Sequence, residues 1–233
     1  MDVDTEIREG IYGTKCRERT AKVKTQEAVK KAAPELAKKR KGVDARILRT
    51  QEQLRLAVLE IAESHEINSV SVTTLSRMAG INRTTFYQHA ASPAELLTDV
   101  LTQEIAGIAQ THMGAILADP GDMREPLWIG MRALVDYLVS REAIYRRHLR
   151  SAAPSMHGML AAQIEKGALL LFKKEVLGAL SNDSVAWSIA ASHYAHGVAA
   201  ALLKWLDHGP PYDRDLLEKV LAAGLPAWYP PYA

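Results

Sequence analysis

The run from Ser71 to Leu97 constrains the fold more tightly than any other stretch of the chain. Ser71 stands before Val72–Ala79, whose apolar positions fit a short helix with the serine as its N-cap. Gly80 ends that helix, because glycine enters the left-handed region without strain. Asn82 is a second N-cap, for Arg83–His89. Two short helices joined by Ala79-Gly80-Ile81-Asn82, with Ile81 plugging the gap, have the pattern of a helix-turn-helix, whose second helix enters the DNA major groove. That second helix carries Phe86 as its one anchor among polar side chains. A helix so poor in apolar residues has little face to bury, and its basic start suits insertion beside DNA. Ser92-Pro93-Ala94-Glu95 then reads as a capping box with proline at the first helical position, opening a longer helix to about Leu117.

The rest of the chain also reads as helix. Ile47, Leu48, Leu54, Ala57, Val58 and Ile61 recur at helical spacing, which predicts a helix from Asp44 to about Ser64. Ile67–Val72 alternates like a strand but is short and has no partner run, so it is expected as an extended turn with Val70 and Val72 against the core. Asp119-Pro120-Gly121 breaks the long helix. Further helices are expected at Met123–Val139, Arg141–Arg150, Ser155–Leu180, Asp183–His208 and Asp213–Ala223, with Gly209-Pro210-Pro211 between the last two. The tail Pro226–Ala233 cannot form a regular helix. The expected class is all-α.

Charge divides the chain unevenly. Lys15–Arg46 holds 12 Lys and Arg against four acidic residues, whereas the chain from Ile47 onward holds 16 basic and 19 acidic. A basic arm ahead of a near-neutral body is attracted by phosphates over long range, although a solvated tail would have the same composition. Within it, Thr25–Lys41 could form two short helices, the second beginning at Pro34. The single cysteine, Cys16, excludes an intramolecular disulfide. The mixed-charge start has no apolar leader segment, and no apolar run reaches membrane-spanning length, so a cytoplasmic protein without membrane contact is expected.

At these residues the chain resembles the TetR family of bacterial transcriptional regulators. The Ala-Gly-Ile-Asn turn, Thr85-Phe86-Tyr87-Gln88-His89 and the Ser92 to Leu96 helix start fall in register with the family motif, and the resemblance covers Asp44 to Leu97. It departs where the family has a phosphate-binding lysine (Pro93 here), a phenylalanine after the histidine (Ala90), a phenylalanine late in the first helix (Ala62) and a glycine just beyond it (Glu66). Those changes imply a smaller reader core and one phosphate-binding side chain fewer, which the basic arm would replace. The resemblance implies an N-terminal three-helix helix-turn-helix domain, 44–92, followed by a helical ligand-binding and dimerisation domain, 93–225, with the arm 1–43 before them and the Pro/aromatic tail 226–233 after. It implies that Thr85, Tyr87 and His89 touch phosphates, with Ser71 and Arg49 as further candidates. Arg83, Thr84 and Gln88 then face base edges, since arginine pairs with guanine and glutamine with adenine.

The larger domain would hold an effector. Trp128, Met131, Tyr137, Tyr145, His148, Met156, Met159, Trp187 and Tyr194 are candidate lining residues, because large aromatics and methionines with a few polar tips suit an apolar ligand; the same spacing also fits plain core. His193 and His196 lie three apart but lack a nearby carboxylate, so a packed or interface role is favoured over metal binding, and no metal or cofactor is expected. The small residues of Asp183–His208, with the last helix, suggest a homodimer interface or close packing within one copy, and Trp205 an anchor of either. No nucleophile or acid–base pair sits at a catalytic spacing, so an enzyme is not expected. The expectation is a repressor, released from a palindromic operator in double-stranded DNA by a small, mostly apolar ligand. The alternative is an architectural or constitutive DNA binder without effector, which a filled second domain would favour and an enclosed cavity would oppose.

Overall fold

The structure is a computed structural model that describes residues 45–118, 124–150, 155–173 and 184–224. The basic arm, the Asp119-Pro120-Gly121 break and the Pro226–Ala233 tail lie outside the described residues. The chain divides into two compact units, 1–52 and 53–233. The described part of the first is helical, with Ile47, Leu48 and Arg49 exposed. The expected domain boundary near Ser92 falls inside the second.

The first helix, α1, runs over 45–64. A 3-10 turn, Ile67–Ser69, follows and buries Ile67. Val70 and Val72 pack half-buried against the core, as expected, but Ile67–Ser69 is wound into this turn rather than extended, and Val72 already begins the next helix. The helices α2 (Val72–Met78) and α3 (Arg83–Tyr87) then lead into α4 (Pro93–Ala118). After it come α5 (Arg124–Ser140), α6 (Glu142–Arg150), α7 (Ser155–Lys173), α8 (Ser184–His208) and α9 (Arg214–Ala223). No strand occurs among the described residues, so the class is all-α.

Local chemistry explains the boundaries. Ser71 accepts from Thr74 N–H and caps α2; Asn82 accepts from Thr85 N–H at 2.7 Å and caps α3. Between them Gly80 has φ 66°, which is why glycine ends α2. At α4 the Ser92 hydroxyl accepts from Glu95 N–H, and the Glu95 carboxylate reaches back to Ala91 N–H at 2.8 Å. That is the reciprocal capping box read from the sequence, displaced one residue outward. Asp213 caps α9 by accepting from Leu216 N–H.

One apolar core runs from Leu54 to Leu221. Ala62 and Ala90, where the family has aromatics, are both buried in it, among Leu54, Val58, Leu75, Phe86 and Leu97. The long helices α4, α7 and α8 form the centre of the larger body: α7 packs along α8, and α4 packs on α5 and α7. A Cβ at Gly130 would stand 3.2 Å from His112 Cβ, so a side chain there would need His112 of α4 to give by a few tenths of an ångström. The small residues of α8 serve two faces. Ala191, Ala195 and Ala199, four apart, are fully buried within this chain, while Gly197 and Ala200 are exposed.

Candidate nucleic-acid interface

The reader is built on one buried ring. Phe86 is 0% exposed, and its side chain holds α3 against α2 and the domain core. Because α3 is a helix, fixing Phe86 inward turns Thr84 away from the core and Tyr87 to the flank; both are exposed, as is Arg83 in the first turn. Tyr87 stands edge-on to Phe86 at a ring separation of 5.8 Å and is itself exposed. Thr85 is half-buried beside them.

The reader helix is shorter than its composition predicts. The polar run predicts a helix to His89, but α3 ends at Tyr87, with Gln88 as C-cap. The reason lies in the hydrogen bonds: Gln88 N–H donates to Thr85 O and His89 N–H to Phe86 O at 2.8 Å, the tight three-residue closure that winds up a helix end. Gln88 remains exposed, and His89 is half-buried just past it. Ser71 is exposed but its hydroxyl is engaged by Thr74 N–H and the Thr74 hydroxyl at 2.9 Å. Arg49 is exposed in the first unit. Arg77, which the motif does not single out, is also exposed and lies in the last turn of α2. The surface thus gathers hydrogen-bond donors suited to phosphate and base edges, over a helix whose apolar side is closed.

Eight of the nine candidate lining residues are buried in, or half-buried against, the body of the chain, and Trp187 lies in a second cluster. Trp128, Tyr145, His148, Met156 and Met159 are buried, and Met131, Tyr137 and Tyr194 are half-buried against the main apolar core. Trp187 joins a small second cluster with Ala168, Ala191 and Tyr194. His148 Nδ1 lies 2.7 Å from Ile144 O, one turn back. Burial pushes the Tyr137 and Tyr145 hydroxyls well above the usual phenol range. Among the described residues, a groove of about 350 Å³ lies between α8 and α9, lined by Trp205, Tyr212, Leu216 and Val220 among others. A second, of about 500 Å³, lies on the reader between the end of α1 and Ser71, Thr74 and Met78. A pinched cleft of about 10 Å³ includes Met131. The other eight candidate lining residues line none of these three.

His193 and His196 are exposed on α8, and His157 of α7 places Nε2 3.2 Å from His196 O. No group of three metal-ligating side chains occurs among the described residues. Trp205 is half-buried, donates Nε1–H to Asp213 O at 3.0 Å, and lies 4.7 Å from the Tyr212 ring. A polar cluster around Glu104, joining Arg55, Tyr137 and Arg141, has no local signature in the sequence, because its members stand 33 to 49 residues from Glu104.

No family model matches the chain. Over 79 residues it is 35% identical to an uncharacterized HTH-type transcriptional regulator, YxbF, of Bacillus subtilis strain 168; the match covers 34% of this chain and 21% of that protein. The chain therefore spans about a fifth of the length of that relative. Among solved structures it is similar to FadR of Thermus thermophilus, a TetR-family repressor in complex with lauroyl-CoA, at 19% identity and TM-score 0.54, covering 78% of this chain and 99% of that one. It is similar to the dihydroxyacetone kinase operon activator DhaS at 18% identity and TM-score 0.51, covering 75% and 94%. It is also similar to AlkX of Dietzia sp., a TetR-family repressor, at 17% identity and TM-score 0.50, covering 74% and 92%. Likeness at these identities shows the fold, and the motif at Ser71–Leu96 agrees with it. The chain has the all-α fold of the TetR-family transcriptional regulators, a helix-turn-helix reader followed by a larger helical domain.

Proposed function

We propose that the chain is a sequence-specific DNA-binding regulator that acts as a homodimer on a palindromic operator. The observation that carries this reading is α3: Phe86 buried beneath an exposed face of Arg83, Thr84, Tyr87 and Gln88. That face would read the major groove, with Arg83 and Gln88 on base edges and Tyr87, Thr85 and His89 on phosphates. A second copy is the natural cover for Val185 and Ile189 of α8 and Leu216 and Val220 of α9, apolar side chains all more than half exposed. Two copies related by a two-fold axis would present two reader helices to two half-sites about one DNA turn apart. The test is selection of bound duplexes from a randomised pool. An inverted repeat should emerge, and Arg83→Ala should relax the preference at one base pair by about 1–3 kcal/mol. Recovery of unrelated sequences only would overturn the reading.

Repression, relieved by a small apolar ligand, is the mode we assign. DhaS is named as an activator, so this fold is compatible with either mode. The candidate contacts include Trp128 and Tyr145, both buried in the core. Lauroyl-CoA, the ligand of the FadR structure, is a first compound to titrate. Tryptophan quenching with release of the selected duplex supports an effector site, and reciprocity demands that the duplex weaken the compound's binding equally. Binding that is equal with and without duplex would sink the coupling. The alternative is a constitutive DNA binder without effector, for which no compound releases the duplex.

A further inference from the structure

One carboxylate gathers side chains from three segments of the chain. Glu104 of α4 accepts from Arg55 Nη1 of α1 at 2.8 Å and from the Tyr137 hydroxyl of α5 at 3.0 Å. It also accepts from Arg141 Nε and Nη2, at the α5–α6 junction, at 3.3 and 3.1 Å. The Glu104 side chain is 19% exposed, against 33% for Arg55 and 25% for Arg141, so the cluster is shielded but not sealed. Nearby, Arg147 of α6 donates to Glu63 O in the last turn of α1, at 3.1 Å. The first helix of the reader is thus tied to the α5–α6 corner twice, once through Glu104 and once directly.

Apolar burial is non-directional and leaves a helix soft to small rotations, whereas several hydrogen bonds on one carboxylate constrain both distance and angle. Removing any one partner leaves a shielded charge or dipole unpaired, so such a cluster tends to be whole or broken. Burial, together with the Tyr145 and Glu104 neighbours, raises the Tyr137 hydroxyl's pKa, which keeps it a donor at every physiological pH. We propose that Glu104 is a positioning residue for DNA binding: it clasps α1 of the reader to the α5–α6 corner and so sets the direction in which α3 is presented. This rests on the reading of the chain as a dimeric DNA binder, since direction matters most when two readers must meet two half-sites at once.

The test uses the full chain and two duplexes. One is the inverted repeat selected by the unmodified protein; the other has one half-site scrambled. For Glu104→Gln the ratio of affinities, intact over scrambled, should fall by about tenfold, the size of a typical coupling between sites. Affinity for the scrambled duplex should not change, because each reader keeps its own surface. Arg55→Met should lower the ratio similarly, and the double variant should add little to either single change. A folded Glu104→Gln protein with an unchanged ratio overturns the proposal and leaves the DNA-binding reading standing. Should Glu104→Gln fail to melt cooperatively, Tyr137→Phe removes one bond and keeps the ring; an unchanged ratio in that folded variant overturns the proposal equally. If the unmodified protein does not distinguish the two duplexes, the dimeric reading itself fails and the proposal falls with it.

Discussion

At the residue level, Tyr87 shows how burial on one side of a short helix assigns chemistry to the other. Phe86 goes inward because it is the one large apolar side chain on α3 besides Tyr87 itself, and the helical rotation then turns Tyr87 out. The Tyr87 hydroxyl contributes nothing to the apolar core, so removing it should leave the fold intact. We expect Tyr87→Phe to weaken binding to every duplex by a similar factor, about tenfold or less, because a phosphate contact positions without specifying. Titration of the selected duplex and of a random one would check this. A change confined to the selected duplex would show that Tyr87 reads bases.

Among the elements, the reader depends most on its caps. The helix α3 spans five residues, too few to be stable alone, and most of its N–H groups lack a partner inside it. The Asn82 side chain supplies one to Thr85 N–H at 2.7 Å. Asn82→Ala should therefore cost about 1 kcal/mol, read as a lower urea midpoint at constant slope. An unchanged midpoint would mean that packing of Phe86 alone holds the helix. Helix α8 serves two faces with one composition. Its alanines at 191, 195 and 199 pack within the chain, so small size there allows close approach to α7; the residues offset from them, Ile189 and Ala200, are left exposed. Small residues in a sequence signal close packing but not the side on which it occurs.

For the molecule as a whole, two bulk properties follow from charge and burial. The arm before Gly42 concentrates basic charge ahead of the reader. Deleting residues 1–42 should flatten the dependence of log K on log salt by about 0.9 for each phosphate that the arm neutralises. An unchanged slope would mean that the arm never touches DNA. The second property is alkaline stability. Burial raises the pKa of Tyr137 and Tyr145 far above the unfolded value of 10.0, and Tyr212 is pushed up to about 12, again with burial as the first cause and Glu142 next. A group whose folded pKa is raised contributes fully below its unfolded pKa and loses that contribution as pH climbs toward the folded value. Stability should thus be flat with respect to these tyrosines below about pH 10 and fall above it. Urea midpoints measured from pH 8 to about 12 would show this, and a midpoint that did not fall above about pH 10 would place these hydroxyls in water.

The helical class, the caps and the turn are legible along the chain without any knowledge of its packing. They depend on residues within four positions of one another: Ser71 with Thr74, Gly80 with its own φ, Asn82 with Thr85, Ser92 with Glu95. Local hydrogen bonding does not wait for the rest of the chain, so its signals can be read in order. The outward face of α3 is legible for the same reason, because a single anchor at Phe86 fixes the rotation. The early end of α3 at Tyr87 is not, since a helix and a tight three-residue closure make equal use of the same polar residues. Which large side chains fill the body is settled by packing between distant segments. Helical spacing gives Trp128, Tyr145 and Met156 an inward face but cannot say whether that face closes on itself or leaves room for a guest. Nor could spacing bring Arg55, Glu104, Tyr137 and Arg141 to one point, because their meeting is set by how α1, α4 and α5 cross, and those crossings follow from the packing of the whole core.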